Sequence, residues 1–196
     1  VPDDAHHEQT RRDGRPRRRA DVTATEIIGG TEKREIVVVD ADPSWGEQYA
    51  DHERRICSAL GTVAVQVEHI GSTSVPGLAA KPIIDVLVVV DDLTDEQAYL
   101  PPLLAAGYAL RVREPGHRLV RTPQRDVHVH VLEVGDPAIE DYLVLRDRLR
   151  RDDDDRELYA RTKRALASRD WPSMDAYSDA KTGVIRAILH RGRGSR

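Results

Sequence analysis

The chain has 196 residues, 39% of them hydrophobic and 33% charged, enough to bury one substantial core but hardly two. A formal net charge of −4 excludes a general attraction to long nucleic acid, which a basic domain or concentrated basic stripe would supply. The single cysteine, Cys57, excludes an internal disulfide, and no segment approaches the roughly 20 apolar residues of a membrane-spanning helix.

Residues 1–34 lack an apolar signal-peptide region, so a cytoplasmic location is expected. They carry Arg11, Arg12, Arg15, Arg17, Arg18 and Arg19 among Asp, Glu, Gly and His, with almost nothing able to form a core, and read as a disordered extension. The alternative is a docking arm for acidic surfaces or nucleic acid, although acidic residues in the same stretch balance its charge. His6 and His7 read as solvated bystanders. The folded domain is expected over residues 35–191, with a flexible C-terminus at 192–196.

Glu35 to Asp40 reads as a short strand. Asp42 followed by Pro43 predicts a helix from Pro43 to about Leu60, whose buried stripe is Trp45, Tyr49, His52, Ile56 and Leu60. Cys57 is expected in the core beside it, since no histidine adjoins it to make a nucleophile.

The segment EHIGSTSVPGLAAKPIID, Glu68 to Asp85, carries most of the chemical information. The β-branched run from Thr62 to Val67 suits a strand, after which Gly71 permits close backbone approach to a ligand. Ser72, Thr73 and Ser74 offer hydroxyls and amides to phosphate oxygens, and Lys81 offers an ammonium. Ile83 to Val90 reads as a strand buried on both faces. Asp85 within it must be neutral, paired, at the sheet edge or bound to metal, because an unpaired buried carboxylate costs several kcal/mol, roughly. Glu68 is either a further carboxylate for chemistry or a lock for an arginine.

Thr94 to Ala106 predicts a helix broken or kinked by Pro101 and Pro102. Three strands follow, at Tyr108–Arg113, Arg118–Thr122 and Asp126–Glu133. In the last, His128 and His130 share one face and Val127, Val129 and Val131 the other. The two imidazoles suit metal ligation, or hydrogen bonding to phosphate and a polar network. Arg113, His117, Arg118 and Arg121 cluster at the hairpin, as a triphosphate clamp or as a solvated cationic face. From Pro137 to Arg191 the pattern is helical, with breaks near Asp152–Asp155 and Trp171–Ser173. Tyr159 with Lys163, and Tyr177 with Lys181, each pair at i,i+4.

The run EHIGSTSVPGLAAKPIIDVLV closely resembles the signature of the GrpB family, a branch of the nucleotidyltransferase-like superfamily. The resemblance extends from about Ile36 to about Ile188. Leu145, Arg146, Asp147, Leu149 and Arg150 resemble its L-x-F-R-D-Y-L-R run, with Leu145 and Arg148 in place of aromatics. It implies an α/β (α+β) fold, a mixed sheet flanked by helices with a C-terminal helical segment, with nucleotide phosphates at the loop of Gly71, Ser72, Thr73 and Ser74 and at Lys163 and Lys181; Lys81, Arg118 and Arg121 are candidate phosphate contacts by their own positions, with a solvated cation as the alternative. A divalent metal, Mg2+ or Mn2+, would sit at Asp85. Nucleotidyltransferases use paired carboxylates one residue apart, and here Leu87 stands at the second position. Asp85, His128 and His130 would then form a two-histidine, one-carboxylate set better suited to a transition metal. Asp85, Glu68 and His130 are the candidate catalytic residues.

There is no P-loop, dinucleotide fingerprint, nucleophile elbow or paired Cys-x-x-Cys. Two readings follow. One is an enzyme that transfers a nucleotidyl group from a nucleoside triphosphate to a small molecule or protein. The other is an inactive nucleotide-binding or accessory module, for instance one assisting an enzyme of cofactor biosynthesis. A purely structural role leaves the concentration of Gly, Ser, Lys, Asp and His unexplained.

Overall fold

The computed structural model describes residues 20–30, 32, 36–171 and 174–194. Its strands are β1 (Glu26–Ile27), β2 (Ala64–Ile70), β3 (Ile84–Val90), β4 (Ala109–Glu114), β5 (His117–Arg121) and β6 (Val127–Glu133). Its helices are α1 (Trp45–Leu60), α2 (Glu96–Ala105), α3 (Pro137–Arg151), α4 (Asp153–Ala167), α5 (Met174–Ala180) and α6 (Thr182–Gly194). The sheet order is β1-β4-β5-β6-β3-β2, with β3 and β6 parallel and every other neighbouring pair antiparallel. This is the mixed α+β arrangement that the sequence predicts.

Strand alternation divides β3 and β6 between two environments. Ile84, Val86, Val88 and Val90 join Val127, Val129 and Val131 against Trp45, Ile56 and Leu60 of α1 and Tyr99 and Leu103 of α2. On the opposite face, α3 covers Ile70, Leu87, Val89 and Leu132 through Ile139, Tyr142 and Leu143. Asp85, His128 and His130 share that second face but are only partly buried. The C-terminal helices complete the domain by a separate cluster, in which Leu149, Tyr159 and Ile188 pack on Val75 and Leu78 just beyond the serine-rich turn. That packing brings α4 and α6 to the Gly71–Ser74 segment.

Local signals fix several boundaries. The Asp42 carboxylate accepts from the Ser44 amide at 2.8 Å, and α1 starts at Trp45. Asp136 caps α3 through the Ala138 amide at 2.9 Å; Asp152 ends α3 and caps α4 through the Asp155 amide at 2.9 Å. α2 runs through Pro101 and Pro102, so of the expected break or kink the helix is not broken. Gln97, whose carbonyl has no amide to accept from at Pro101, is exposed, so water can satisfy it.

Other expectations are corrected. Among the described residues of EIVVVD only Val39 pairs, in an isolated bridge with Ala80. Cys57 is exposed, because the helix stripe turns Ile56 inward and leaves its neighbour outside. The disorder expected over residues 1–34 does not hold for the described part of that segment. Residues 20–30 and Glu32 lie against the β4–β5 hairpin, with β1 pairing β4 and Asp21 paired with the buried Arg118. The cause is electrostatic: the hairpin arginines need counter-ions, and Asp21, Glu26 and Glu32 provide them. The arginine run and histidines at 1–19, Glu35, and the break at 172–173 lie outside the described residues. Residues 192–194, expected to be flexible, end α6. No described helix is long and apolar enough to cross a membrane.

Candidate functional site

A cleft of about 840 Å³ opens between the second face of the sheet and the C-terminal helices; Asp85, His128, His130, Gly71, Ser72 and the three lysines 81, 163 and 181 line it. Asp85 and His128 are directly opposed in the parallel β3–β6 ladder, and His130 stands opposite Leu87. Asp85 Oδ1 lies 3.8 Å from His128 Nδ1 and 3.5 Å from His130 Nε2. One potential ligand atom from each of the three residues falls within 4.8 Å of the others, the only such group of three or more among the described residues. Burial acts to raise the Asp85 carboxyl, but the hydrogen bond and charge of His130, with the charges of His128 and Lys181, outweigh it and hold the group below its ordinary value.

The Gly-Ser turn closes over this cluster. Gly71 has φ 70° and ψ −171°, and a Cβ there would lie 2.4 Å from Asp85 Oδ2. Ser72 Oγ accepts from Lys163 Nζ at 2.8 Å, and the Ala79 carbonyl accepts from the same ammonium at 2.6 Å. Lys163 is buried, and burial together with the charges of Lys181 and Arg164 lowers its pKa to about 7 against the pull of Asp85. Burial likewise lowers Lys181, which Asp85 opposes. The ammoniums of Lys81 and Lys181 stand 4.3 and 4.6 Å from the centre of the Tyr177 ring, and Lys163 stands 4.7 Å from that of Tyr159. Both i,i+4 pairs therefore meet in one cleft. Lys181 stands at a break between α5 and α6, which the sequence did not signal, and lines the cleft.

Not every residue in the serine-rich turn is available to a ligand. Thr73 donates to the Ile83 carbonyl at 3.0 Å and meets His69 Nε2 at 3.2 Å, while Ser74 Oγ donates to the Gly71 carbonyl at 2.6 Å. Both side chains shape the turn. His69 is stacked on Tyr49, ring centres 4.4 Å apart, and burial lowers its pKa to about 4. Glu68 takes the locking role: Arg146 donates to it at 2.7 Å. Leu87 is fully buried under α3, so apolar packing fills the position of a second carboxylate.

The expected arginine clamp divides. Arg118 is 2% exposed and bonded to Asp21 and Glu96, and Arg113 pairs with Glu96 and Glu26, so neither lines the cleft. Arg121 does line it, with its guanidinium donating to Glu32 at 2.7 Å. His117 is there too, but as a partner of His130: Nε2 and Nδ1 are 3.1 Å apart, and the rings stack with centres 5.2 Å apart. Sequence reasoning missed Glu114, which meets His117 Nδ1 at 2.7 Å, and Tyr142, whose ring centre is 5.8 Å from that of His130. The period-two pattern of the hairpin signalled the first; nothing in the sequence tied α3 to the histidine strand.

A family model described as GrpB protein matches residues 35–191. The UPF0157 protein SCO7215 of Streptomyces coelicolor is 62% identical over 180 residues, covering 92% of this chain and 96% of that protein. A dephospho-CoA kinase of Mycolicibacterium paratuberculosis is 31% identical over 185 residues, a match that covers 80% of this chain and 46% of the kinase. The crystal structure of the conserved protein GrpB from Enterococcus faecalis aligns with a TM-score of 0.70 at 32% identity, covering 80% of this chain and 96% of that one. A chain of the GLD-2/RNP-8 complex aligns with a TM-score of 0.52 at 14% identity over 78% of this chain and 60% of that one, a likeness of fold alone. The fold is nucleotidyltransferase-like.

Proposed function

The chain belongs to the GrpB family, and we propose that its cleft binds a nucleoside triphosphate beside a divalent metal ion and transfers a nucleotidyl group to a small-molecule or protein acceptor. One observation carries this reading: three convergent metal-ligand side chains, Asp85, His128 and His130, share a cleft with Ser72 and three lysines. Opposed charges of that kind suit a metal-bound polyphosphate, whose anionic oxygens need cations on every side.

The donor set fits a metal ion. Two imidazoles and one carboxylate converge on a partly buried point, and such a set favours a transition metal, or Mn2+, over Mg2+, which prefers oxygen ligands. When bound there, the metal would supply Lewis-acid stabilisation of charge developing on the transferred phosphoryl group. Lys81, Lys163 and Lys181 would neutralise the remaining phosphate oxygens and the pyrophosphate leaving group. Ser72, held by Lys163, would present its hydroxyl and the turn amides to the phosphates. Arg121 would exchange Glu32 for a phosphate oxygen.

Leu87 supports a second reading, a nucleotide-binding or accessory module without transfer chemistry. The position of the paired carboxylate is core, and Glu68 is committed to Arg146. The match to part of a dephospho-CoA kinase suits an accessory role beside an enzyme of cofactor biosynthesis.

Calorimetric titration of ATP, GTP, CTP and UTP, with Mg2+ and then Mn2+, into the wild-type protein and Asp85→Ala tests the binding shared by both readings. Metal-dependent binding that the mutant loses is expected; no binding of any nucleotide overturns both. Pyrophosphate release across an acceptor screen, abolished in Asp85→Ala and His130→Ala, then favours transfer over the accessory role.

A further inference from the structure

We infer that Glu114 and His117 are positioning residues of the metal site, forming an outer relay that presents His130 Nε2 to a transition-metal ion. This rests on the proposed metal reading and extends it to two residues outside the ligand set, from a neighbouring hairpin. The chain of contacts is continuous: Glu114 Oε1 to His117 Nδ1 at 2.7 Å, His117 Nε2 to His130 Nδ1 at 3.1 Å, and His130 Nε2 to Asp85 Oδ1 at 3.5 Å.

Proton placement in this chain follows from the ligand outward. A neutral imidazole that ligates through Nε2 carries its one proton on Nδ1. For His130, the acceptor for that proton is His117 Nε2. His117 can accept there only if its own proton sits on Nδ1, which then donates to Glu114. A carboxylate only accepts, so Glu114 anchors the direction of the whole chain. With that placement the Nε2 lone pair of His130 and an oxygen of Asp85 face the same point, where a bound cation would take the place of the proton that the two share without it.

The sheet holds this relay rigidly. Glu114 and His117 are paired residues at the end of the β4–β5 hairpin, and Leu119, two residues on, is opposite His130. His117 and His130 are thus diagonal neighbours on one face, close enough for stacked rings. Tyr142 from α3 packs against His130 from another side. Outer partners of this kind fix ring orientation and raise ligand basicity, and their removal typically weakens metal affinity by about 10–100-fold.

The test titrates Zn2+, Mn2+ and Mg2+ separately into chelator-stripped protein, without nucleotide, and reads affinity and stoichiometry. The wild type is expected to bind one Zn2+ or Mn2+ ion with Mg2+ much weaker, and Asp85→Ala to bind none. His117→Ala is expected to weaken binding by about 10–100-fold, while His117→Gln, whose amide oxygen can accept from His130 Nδ1, recovers most of it. Glu114→Ala, at a partly exposed position, provides an independent reading should His117→Ala fail to fold. Wild-type binding with both His117→Ala and Glu114→Ala unchanged within about twofold, well short of the weakening expected, overturns the relay alone. No binding of any of the three ions by the wild type overturns the metal reading and the relay with it.

Discussion

Gly71 and Asp85 are in such close approach that the glycine's missing side chain is a requirement of the site: a Cβ on Gly71 would stand 2.4 Å from Asp85 Oδ2 and 3.0 Å from its Cβ and Cγ. The two residues come from adjacent strands, Gly71 just after β2 and Asp85 near the start of β3. The positive φ of 70° adds a second reason for glycine. Gly71→Ala is expected to lower stability by about 1–3 kcal/mol in urea unfolding and to displace the carboxylate enough to abolish metal binding. Wild-type behaviour in both measurements would show that the approach is not a constraint.

Lys163 makes stability depend on pH in a defined direction. Its folded pKa of about 7 lies below the ordinary 10.5, so between these values the unfolded chain holds a proton that the folded protein does not. Folding stability therefore rises with pH across that window; below about 7 both states are protonated and the cost of the buried charge weighs fully on the folded state. Lys163→Met should flatten the rise in thermal melts taken from pH 7 to 10. An anionic ligand favours the charged ammonium, so phosphate or nucleotide binding should take up protons near pH 7 to 8 and weaken at higher pH, which calorimetry in buffers of different ionisation enthalpy would detect.

Asp21 ties the N-terminal segment to the fold. Arg118 is 2% exposed and donates to Asp21, to Glu96 and to the carbonyls of Glu114 and His117. Asp21→Ala leaves this buried cation with Glu96 as its remaining ion-pair partner among the described residues, at an expected cost of about 1.5–3 kcal/mol. Burial acts to raise the Asp21 carboxyl, but the Gly116 amide and Arg118 leave it below its ordinary value. Its contribution is present above the unfolded pKa and lost as pH falls, so the mutant and wild type should converge in acid unfolding.

Cys57 lies on the solvent side of α1. It should react with an aromatic disulfide reagent in the native protein to one equivalent, at a rate little changed by denaturant. Protection that is lost only on unfolding would place it in the core after all. Cys57→Ser should leave stability within about 0.5 kcal/mol, as for most surface changes.

Periodicity made the central sheet legible. The run Ile83 to Val90 reads as a buried strand and His128–His130 as an alternating pair, and both lie where the spacing puts them, because strand side chains alternate whatever else the chain does. Asp85 was legible as an anomaly for the same reason: a carboxylate within an apolar strand needs a partner. The arginines were not legible as individuals. Arg118 and Arg121 are three residues apart in one hairpin, yet one is a buried structural cation and the other lines the cleft. Which face each took depended on the pairing of β4 with β5 and on acidic residues nearly a hundred positions away.

The sequence by itself determined the family, the mixed sheet, and the side chains that could hold metal and phosphate, since these follow from local alternation and a contiguous signature. Tertiary structure alone decided which of them meet. Glu68 is drawn to Arg146, Thr73 and Ser74 turn back on their own backbone, and Lys163 reaches Ser72 across 91 positions of chain. A buried polar group takes whichever partner the packed elements bring to it. That choice is settled by how α3, α4 and α6 close over the sheet, which no short stretch of sequence encodes.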